Sequence, residues 1–448
     1  MLVRNLTEGR PLPQILRFAL PLLLGNLFQQ TYNIVDAAIV GRCLGENALA
    51  GVGASSSVQF LVLGFSIGTC SGFGVPIAQH FGAGNHKALK SCAYHALILS
   101  AWIAGILTLV CAIACGGILH LLHTPNNIYE NAYSYLLIIF LGLPFTLLYN
   151  LLSGILRAIG DSRTPFLFLA LSTVLNIVLD LMSILLWHMG VTGAALATIV
   201  SQAVSGILCG IYILRHVPTL WLTRDDMRFQ PDTARNMLLM GVPMGLQSSI
   251  TAIGSMVMQS SNNALGSVYV SGFTAGMKLK QFAMCPFDAL SIAVSTFCGQ
   301  NLGAKQFTRI RQGLRIGFET GVIYGAFAGL ILIFLGRPLS TIFVTAPDVL
   351  DASAQYLRAL GMFYWVIGFL AIARMTTQGL GFTGLAVISG VLEMVARVAV
   401  STTLVPRFGF NAVCFTDQSA WILATLYIVP TCLICVRRLE RGAARSIL

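Results

Sequence analysis

Charge is what this sequence has least of. Only 10% of its 448 residues are Asp, Glu, Lys or Arg, while 56% are hydrophobic. Soluble globular proteins carry roughly a quarter charged residues. A chain this poor in charge has too little polar surface to face water, which excludes the soluble classes and leaves an integral membrane protein. Acids are scarcer than bases, and the net charge is +11. The excess lies in short gaps between apolar runs, as the basic loops of a membrane protein do, so no nucleic-acid partner is implied. Several motifs are missing too. There is no HExxH and no GxSxG, and Gly82 to Ala88 (GAGNHKA) lacks the GK[ST] ending of a phosphate-binding loop. An embedded hydrolase, an ATP-driven pump and a bound cofactor therefore have no support, and the chain is expected not to be an enzyme. Cysteine is present, 11 in all, but mostly inside apolar runs, which favours neither a disulfide framework nor a metal spacing. Cys432 and Cys435 form a CxxC inside such a run and read as packing.

What is present is length. A bilayer core about 30 Å thick needs roughly 20 apolar residues per helix. On that basis twelve spans are expected: 14–40, 50–78, 92–118, 130–157, 165–188, 191–214, 236–262, 268–299, 313–336, 352–379, 385–405 and 411–436. The first run is too long for a signal-peptide core and has no cleavage site after it, so it is expected to be retained. Alternate gaps hold the basic residues: Arg4 to Arg17, Lys87 and Lys90, Arg157 and Arg163, Arg215 to Arg235, Lys305 to Arg315, and Arg437 to Arg445. This places both termini in the cytoplasm and the chain in the cell's inner (plasma) membrane.

The segment 215–235 is polar, contains proline and lies near the midpoint. Sliding the chain along itself until Gly45 meets Gly266 also sets Gln79 on Gln300, Gly82-Ala83 on Gly303-Ala304, Tyr135-Leu136 on Tyr356-Leu357 and Gly160 on Gly381, all at one constant offset. The expected fold is therefore all-α, with two six-helix lobes forming a parallel repeat about an axis along the membrane normal. The lobes would be 1–214 and 236–436, with 215–235 a cytoplasmic linker and 437–448 a basic cytoplasmic tail.

Chemistry enters with Asn176 and Asp180, four residues apart on one face of an apolar run. An ionisable group at bilayer depth is costly unless it faces the bundle interior and has partners, so it marks a functional site by default. Bonding a neighbouring helix is the other use of such a pair. In the first helix Asn26, Gln29, Gln30, Asn33 and Asp36 recur every three or four residues. From the topology, Asp36, Tyr135, Asp180 and Thr198 all fall within the outer half of one lobe. Two carboxylates with an amide, a phenol and a hydroxyl in reach suit a proton or a hard cation such as sodium; any metal here would be sodium at Asp36 and Asp180. Pro21 removes a backbone bond from helix one and is either a hinge or a static kink.

The second half differs. Helix seven keeps polar residues (Ser248, Thr251, Ser255, Gln259) but lacks an acid there, and seven of the 14 methionines fall between Met237 and Met284. Flexible Met surfaces suit either promiscuous binding or core filling. Lys278, Lys280, Arg374 and Arg397 lie within helices and are expected to pair with Glu393 and Asp417, or else to repel or orient substrates. Gln30, Asn33, Gln247, Thr251, Met256 and Lys278 are the residues expected to line a substrate cavity.

Asn33-Ile-Val-Asp36, Gln79-His-Phe-Gly82-Ala83, Gly160-Asp161-x3-Pro165, Asn176-x3-Asp180, Gly193-Ala194-Ala195-x-Ala197-Thr198 and Gln300-Asn301-Leu-Gly303-Ala304 together resemble the multidrug and toxic compound extrusion (MATE) family over nearly the whole chain. The resemblance implies two lobes in an inverted V around a central cavity. It also implies export of cationic or amphipathic drugs by proton or sodium antiport, by a monomer in membrane lipid. It implies a cation-coupling site at Asp36, Tyr135, Asn176, Asp180 and Thr198, and a bending proline at Pro21. One departure is plain: many members carry a Glu on helix seven where this chain has Thr251, which moves the expected coupling to the N-terminal lobe. A lipid-linked oligosaccharide flippase and a non-transporting receptor are the other readings.

Overall fold

The computed structural model describes residues 5–121, 124–224 and 226–445; Arg4 and the last three residues of the expected basic tail lie outside them. Among the described residues every regular element is a helix. In chain order they are α1 (Pro11–Leu44), α2 (Glu46–Gly82), α3 (His86–Leu121), α4 (Asn126–Leu141), α5 (Leu143–Ala158), α6 (Arg163–Leu181), α7 (Gly190–His216), α8 (Pro231–Asn263), α9 (Ser267–Gly303), α10 (Phe307–Ser340), α11 (Pro347–Met362), α12 (Tyr364–Gly379), α13 (Thr383–Ala399), α14 (Val405–Phe408) and α15 (Phe410–Arg445). Ten spans are long and apolar enough to cross a membrane, or up to twelve when the bent pairs α4 with α5 and α11 with α12 each count as one.

The expected spans 130–157 and 352–379 are each such a pair, broken near the middle. The first bends by 48° and the second by 56°. Pro144 follows the first break and lacks a backbone donor. A Cβ on Gly142 would meet Ile199 at 2.3 Å, so α7 can lie against the bend only because no side chain is there. The second break falls at Phe363, the repeat equivalent of Gly142, without a proline. The expected tail is helical as far as it is described, since α15 runs on through Arg437 to Arg445, where no residue forces the helix to stop.

The backbone repeats as the sequence does. Left-handed conformations recur at Gly45 and Gly266, Gly84 and Lys305, Gly160 and Gly381, and His188 and Gly409. Every one of these pairs is separated by the same offset that aligns the two halves of the sequence. A π-helical turn follows α6 at Met182–Leu186 and another follows α13 at Val400–Leu404.

By packing, the chain forms two units. One is Leu24–Gly245; the other joins Leu6–Leu23 to the chain from Leu246 onward. The divisions fall inside α1 and α8, just beyond Pro21 and Pro243, and not in the 215–235 linker. The reason is anchoring of the segments that precede those helices. In the second unit Ile15, Phe18 and Leu22 join the core of Phe297, Val294 and Tyr364. Arg309 donates to the carbonyls of Gly9 (2.7 Å) and Leu6 (3.0 Å) and to Asn301 Oδ1 (2.8 Å). Gln300 Oε1 accepts from the Leu6 amide at 3.0 Å. In the first unit the linker is held just as firmly. His95 Nδ1 donates to the Ser91 carbonyl (2.7 Å), and its Nε2 accepts from the Gln230 amide (2.8 Å). Asp226 accepts from the amide and hydroxyl of Thr223 (2.9 and 2.6 Å), bonds that hold its carboxyl below the usual carboxylate range.

Glycine sets a close helix crossing in the second unit. Gly317, Gly321, Gly325 and Gly329 recur every four residues on α10 and form one stripe. A Cβ at Gly321 would meet Gly368 at 3.1 Å, at Gly325 Trp365 at 2.6 Å, and at Gly329 the Gly361 carbonyl at 2.4 Å. Small residues let helix backbones approach where lipid gives no hydrophobic drive for association.

Candidate functional site

In the first unit α1, α2, α4, α6 and α7 bring one buried polar cluster together. Asp36 is 9% exposed, Tyr135 4%, Asn176 2% and Asp180 0%. The carboxyl groups of Asp36 and Asp180 lie within hydrogen-bond reach of each other, with Tyr135 close to both. Asn176 satisfies both ends of its amide when Nδ2 donates to Asp180 Oδ2 (3.1 Å) and Oδ1 accepts from the Thr198 amide (3.2 Å). Thr198 Oγ1 donates to its own helix at the Ala194 carbonyl (3.1 Å). It therefore accepts from the Tyr32 hydroxyl at 3.1 Å. The structure thus gathers all five residues expected for cation coupling.

It adds two that were not foreseen. Tyr32 precedes Asp36 by one helical turn, on the face already marked by Gln29 and Asp36, and its phenol was hidden among apolar neighbours. Gln59, hydrogen-bonded to Tyr135, lies on α2 among small hydroxyl residues and carries no charge to announce it. Beside the cluster, Gln29, Tyr32, Ser172, Asn176, Thr198 and Gln202 line a small recess of about 20 Å³.

One oxygen of each carboxyl, Oδ1 of Asp36 and Oδ1 of Asp180, is buried without a hydrogen-bond partner among the described residues. Two acids in contact cannot both stay charged in a dry site unless something positive joins them. The donor set of two carboxyls, an amide and hydroxyls is one of hard oxygen ligands, which fits a proton or sodium. No group of three or more His, Cys, Asp or Glu among the described residues could hold a transition metal.

The second unit resolves the same positions differently. At the repeat offset, Gln59, Tyr135 and Asn176 fall on Lys280, Tyr356 and Arg397. Lys280 Nζ pairs with Asp417 Oδ2 (2.5 Å) and Arg397 Nε with Asp417 Oδ1 (3.1 Å). The Tyr356 hydroxyl donates to Asp417 Oδ2 (3.1 Å). Arg374 and Arg397 both pair with Glu393, at 2.5 and 3.6 Å. The expected pairing of these cations is what the structure has, except that Lys278 makes no ion pair among the described residues.

The expected cavity residues are partly gathered. Gln247 Oε1 accepts from Gln378 Nε2 (3.3 Å), and the Gln247 carbonyl accepts from Thr251 Oγ1 (3.0 Å). Met256 and Lys278 are half-buried in that unit. Gln30 and Asn33 belong to the other unit, on the open flank of α1.

The MatE family model matches this chain twice, over residues 21–182 and 243–403. The chain belongs to the MatE family. Each match covers one copy of the repeat, and membership makes the chain a multi-pass membrane transporter rather than an enzyme. A MatE relative, the probable multidrug resistance protein YpnP of Bacillus subtilis, is 30% identical over 372 residues, covering 81% of each chain. The probable multidrug resistance protein NorM of Thermotoga maritima is 26% identical over 442 residues, 94% of this chain and 91% of its own. Among solved structures, a MATE crystal structure in the bent conformation superposes with a TM-score of 0.91 at 22% identity, covering 99% of both chains. That likeness shows that the two share a fold.

Proposed function

We propose that this MatE protein is a secondary active multidrug exporter of the plasma membrane. It acts as a monomer with both termini in the cytoplasm, and it exports cationic or amphipathic compounds in exchange for protons or sodium ions. The observation that carries the coupling assignment is the contrast between equivalent positions. In the first unit Asp36 and Asp180 touch and keep unpartnered oxygens. In the second, Val257 and Ser401 stand at the acids' positions, and Lys280 and Arg397, at those of Gln59 and Asn176, pair with Asp417. A site that changes charge when an ion arrives can drive a cycle, whereas one held by its own lysine and arginine is fixed.

Loading of Asp36 and Asp180 changes how α1 bonds to α6 and α7 through Tyr32, Thr198 and Asn176. α1 is also one of the places where the chain passes between units, at Leu23 and Leu24, just beyond Pro21. The proline weakens the helix where such a change can be expressed as a bend. Substrate and ion would then compete through one bistable element, as antiport requires. The test is dye efflux from vesicles with proton and sodium gradients imposed separately. Export driven by at least one gradient is expected; export that ignores both gradients would end the reading.

A further inference from the structure

In the second unit, α10 and α15 each carry an exposed stripe that changes from apolar to basic at one end. On α15 Phe415, Leu423, Leu426, Leu433 and Ile434 are exposed over about 29 Å, close to the hydrocarbon thickness of a bilayer. The exposed side chains that follow within the same helix are Arg437, Arg438 and Arg441. On α10 Ile323, Phe327, Leu330 and Phe334 are exposed in the same way, and Arg315 and Arg337 bound them about 33 Å apart. Apolar faces this long, with charge only at their ends, are faces that meet lipid tails.

The two basic ends lie side by side. Arg311 Nη2 on α10 pairs with Glu440 Oε2 on α15 at 2.5 Å, and Arg315 Nε pairs with Glu319 Oε1 on its own helix at 2.7 Å. Both arginines stay open, with side chains 67% and 80% exposed. Five arginines against two glutamates leave an excess of positive charge at the level where both apolar stripes stop. Topology asks only for positive charge near a helix end and is indifferent to the face it occupies. Here the face is kept: Arg437 stands four residues from Leu433, Arg438 four from Ile434, and Arg315, Glu319, Ile323 and Phe327 recur every four residues. The repeat shows that this is no general feature of the fold. At its offset Arg311, Arg315, Arg437, Arg438 and Arg441 meet Lys90, Tyr94, His216, Val217 and Leu220, the last two buried.

We propose that this patch is a headgroup site for an anionic phospholipid, and that it takes best a lipid with two phosphates, such as cardiolipin. The acyl chains lie along the apolar stripes of α10 and α15, and the phosphates take the guanidinium groups of Arg315, Arg437, Arg438 and Arg441. Arginine suits this role because its planar fork bonds phosphate oxygens in pairs. The Arg311–Glu440 pair holds the two helix ends together beneath the headgroup. The positive excess offsets both phosphates of such a lipid, whereas a zwitterionic headgroup leaves it unmet. A free phosphate ion has the charge but nothing to lay along the stripes. The assignment goes beyond the export reading and does not depend on it.

The experiment titrates the full chain, purified in detergent, with cardiolipin and separately with phosphatidylcholine, and counts bound lipid by native mass spectrometry. Wild type should bind cardiolipin at least about tenfold more tightly than phosphatidylcholine. Arg437→Gln, Arg438→Gln and Arg441→Gln combined should weaken cardiolipin binding by about tenfold to a hundredfold, as loss of three basic groups at a membrane surface does. Arg215→Gln with Arg224→Gln, which removes basic residues of the first unit, should change it by less than about threefold. Sodium phosphate in tenfold excess over lipid should not displace cardiolipin. Matching gel-filtration profiles establish that the variants are folded; should the triple variant misfold, Arg315→Gln and Arg441→Gln decide singly, each weakening cardiolipin binding several-fold. Equal cardiolipin binding by wild type and the arginine variants, an equal loss in the first-unit variant, no preference over phosphatidylcholine, or displacement by sodium phosphate would overturn the proposal.

Discussion

The two halves of the chain suggest a swap. Asn176 stands where the second half has Arg397, so Asn176→Arg should give the first unit the fixed charge of the second. The new guanidinium would lie beside Asp180, which Asn176 already reaches at 3.1 Å. At about 4 Å and an effective dielectric near 20, one opposite charge is worth roughly 4 kcal/mol. That is on the order of a thousandfold preference over an incoming proton or sodium ion. The desolvation of the guanidinium offsets part of it. The recess that borders Asn176 has about 20 Å³ of free space, so the longer side chain must displace its neighbours there. The variant should insert normally and keep its thermal stability, yet lose gradient-driven efflux by at least about a hundredfold. The stabilisation that sodium or low pH gives the wild type by mass action should vanish with it. Gln59→Lys, matching Lys280, repeats the test with a longer and more flexible side chain. Efflux by Asn176→Arg that still follows an imposed ion gradient would refute the reasoning, since a site already filled by its own cation would then still be reading the ion.

Two further outcomes follow from packing and hydrogen bonding. Gly329→Leu should lower the melting temperature and the yield of folded protein, because its Cβ would meet the Gly361 carbonyl at 2.4 Å. Overpacking of this kind costs about 1–3 kcal/mol or more, and an unchanged melting curve would show that the crossing of α10 and α11 is looser than described. Tyr32→Phe removes the hydroxyl that donates to Thr198. A loss of about 1 kcal/mol should raise the half-saturating ion concentration for efflux several-fold with little change in stability, and an unaltered ion dependence would place Tyr32 outside the site.

Much of this was legible in residues and spacing, and what was not has physical causes. Asn176-x3-Asp180 announces itself because charge is so costly in an apolar run, and the constant offset between the halves survives because turns with left-handed backbone restrict which residues they accept. Tyr32 was passed over because a tyrosine in a membrane span reads as apolar until its hydroxyl has a partner. The breaks at Gly142 and Phe363 were hidden for a related reason: hydropathy measures length, and two short helices joined by a bend have the same length as one. The division inside α1 and α8 depends on where Ile15, Phe18 and Arg309 pack, which is tertiary information, whereas composition marks only the linker.

Coupling through the first unit is most directly tested by replacing its two acids singly. Asp36→Asn and Asp180→Asn should each insert and fold, and each should abolish dye efflux under imposed proton and sodium gradients in vesicles where the wild type exports. Each substitution leaves one carboxyl that no longer needs an ion to offset its neighbour, so the site stops changing charge in step with the gradient. Full gradient-driven efflux by the Asp180→Asn protein would contradict the account and move the coupling site elsewhere in the chain.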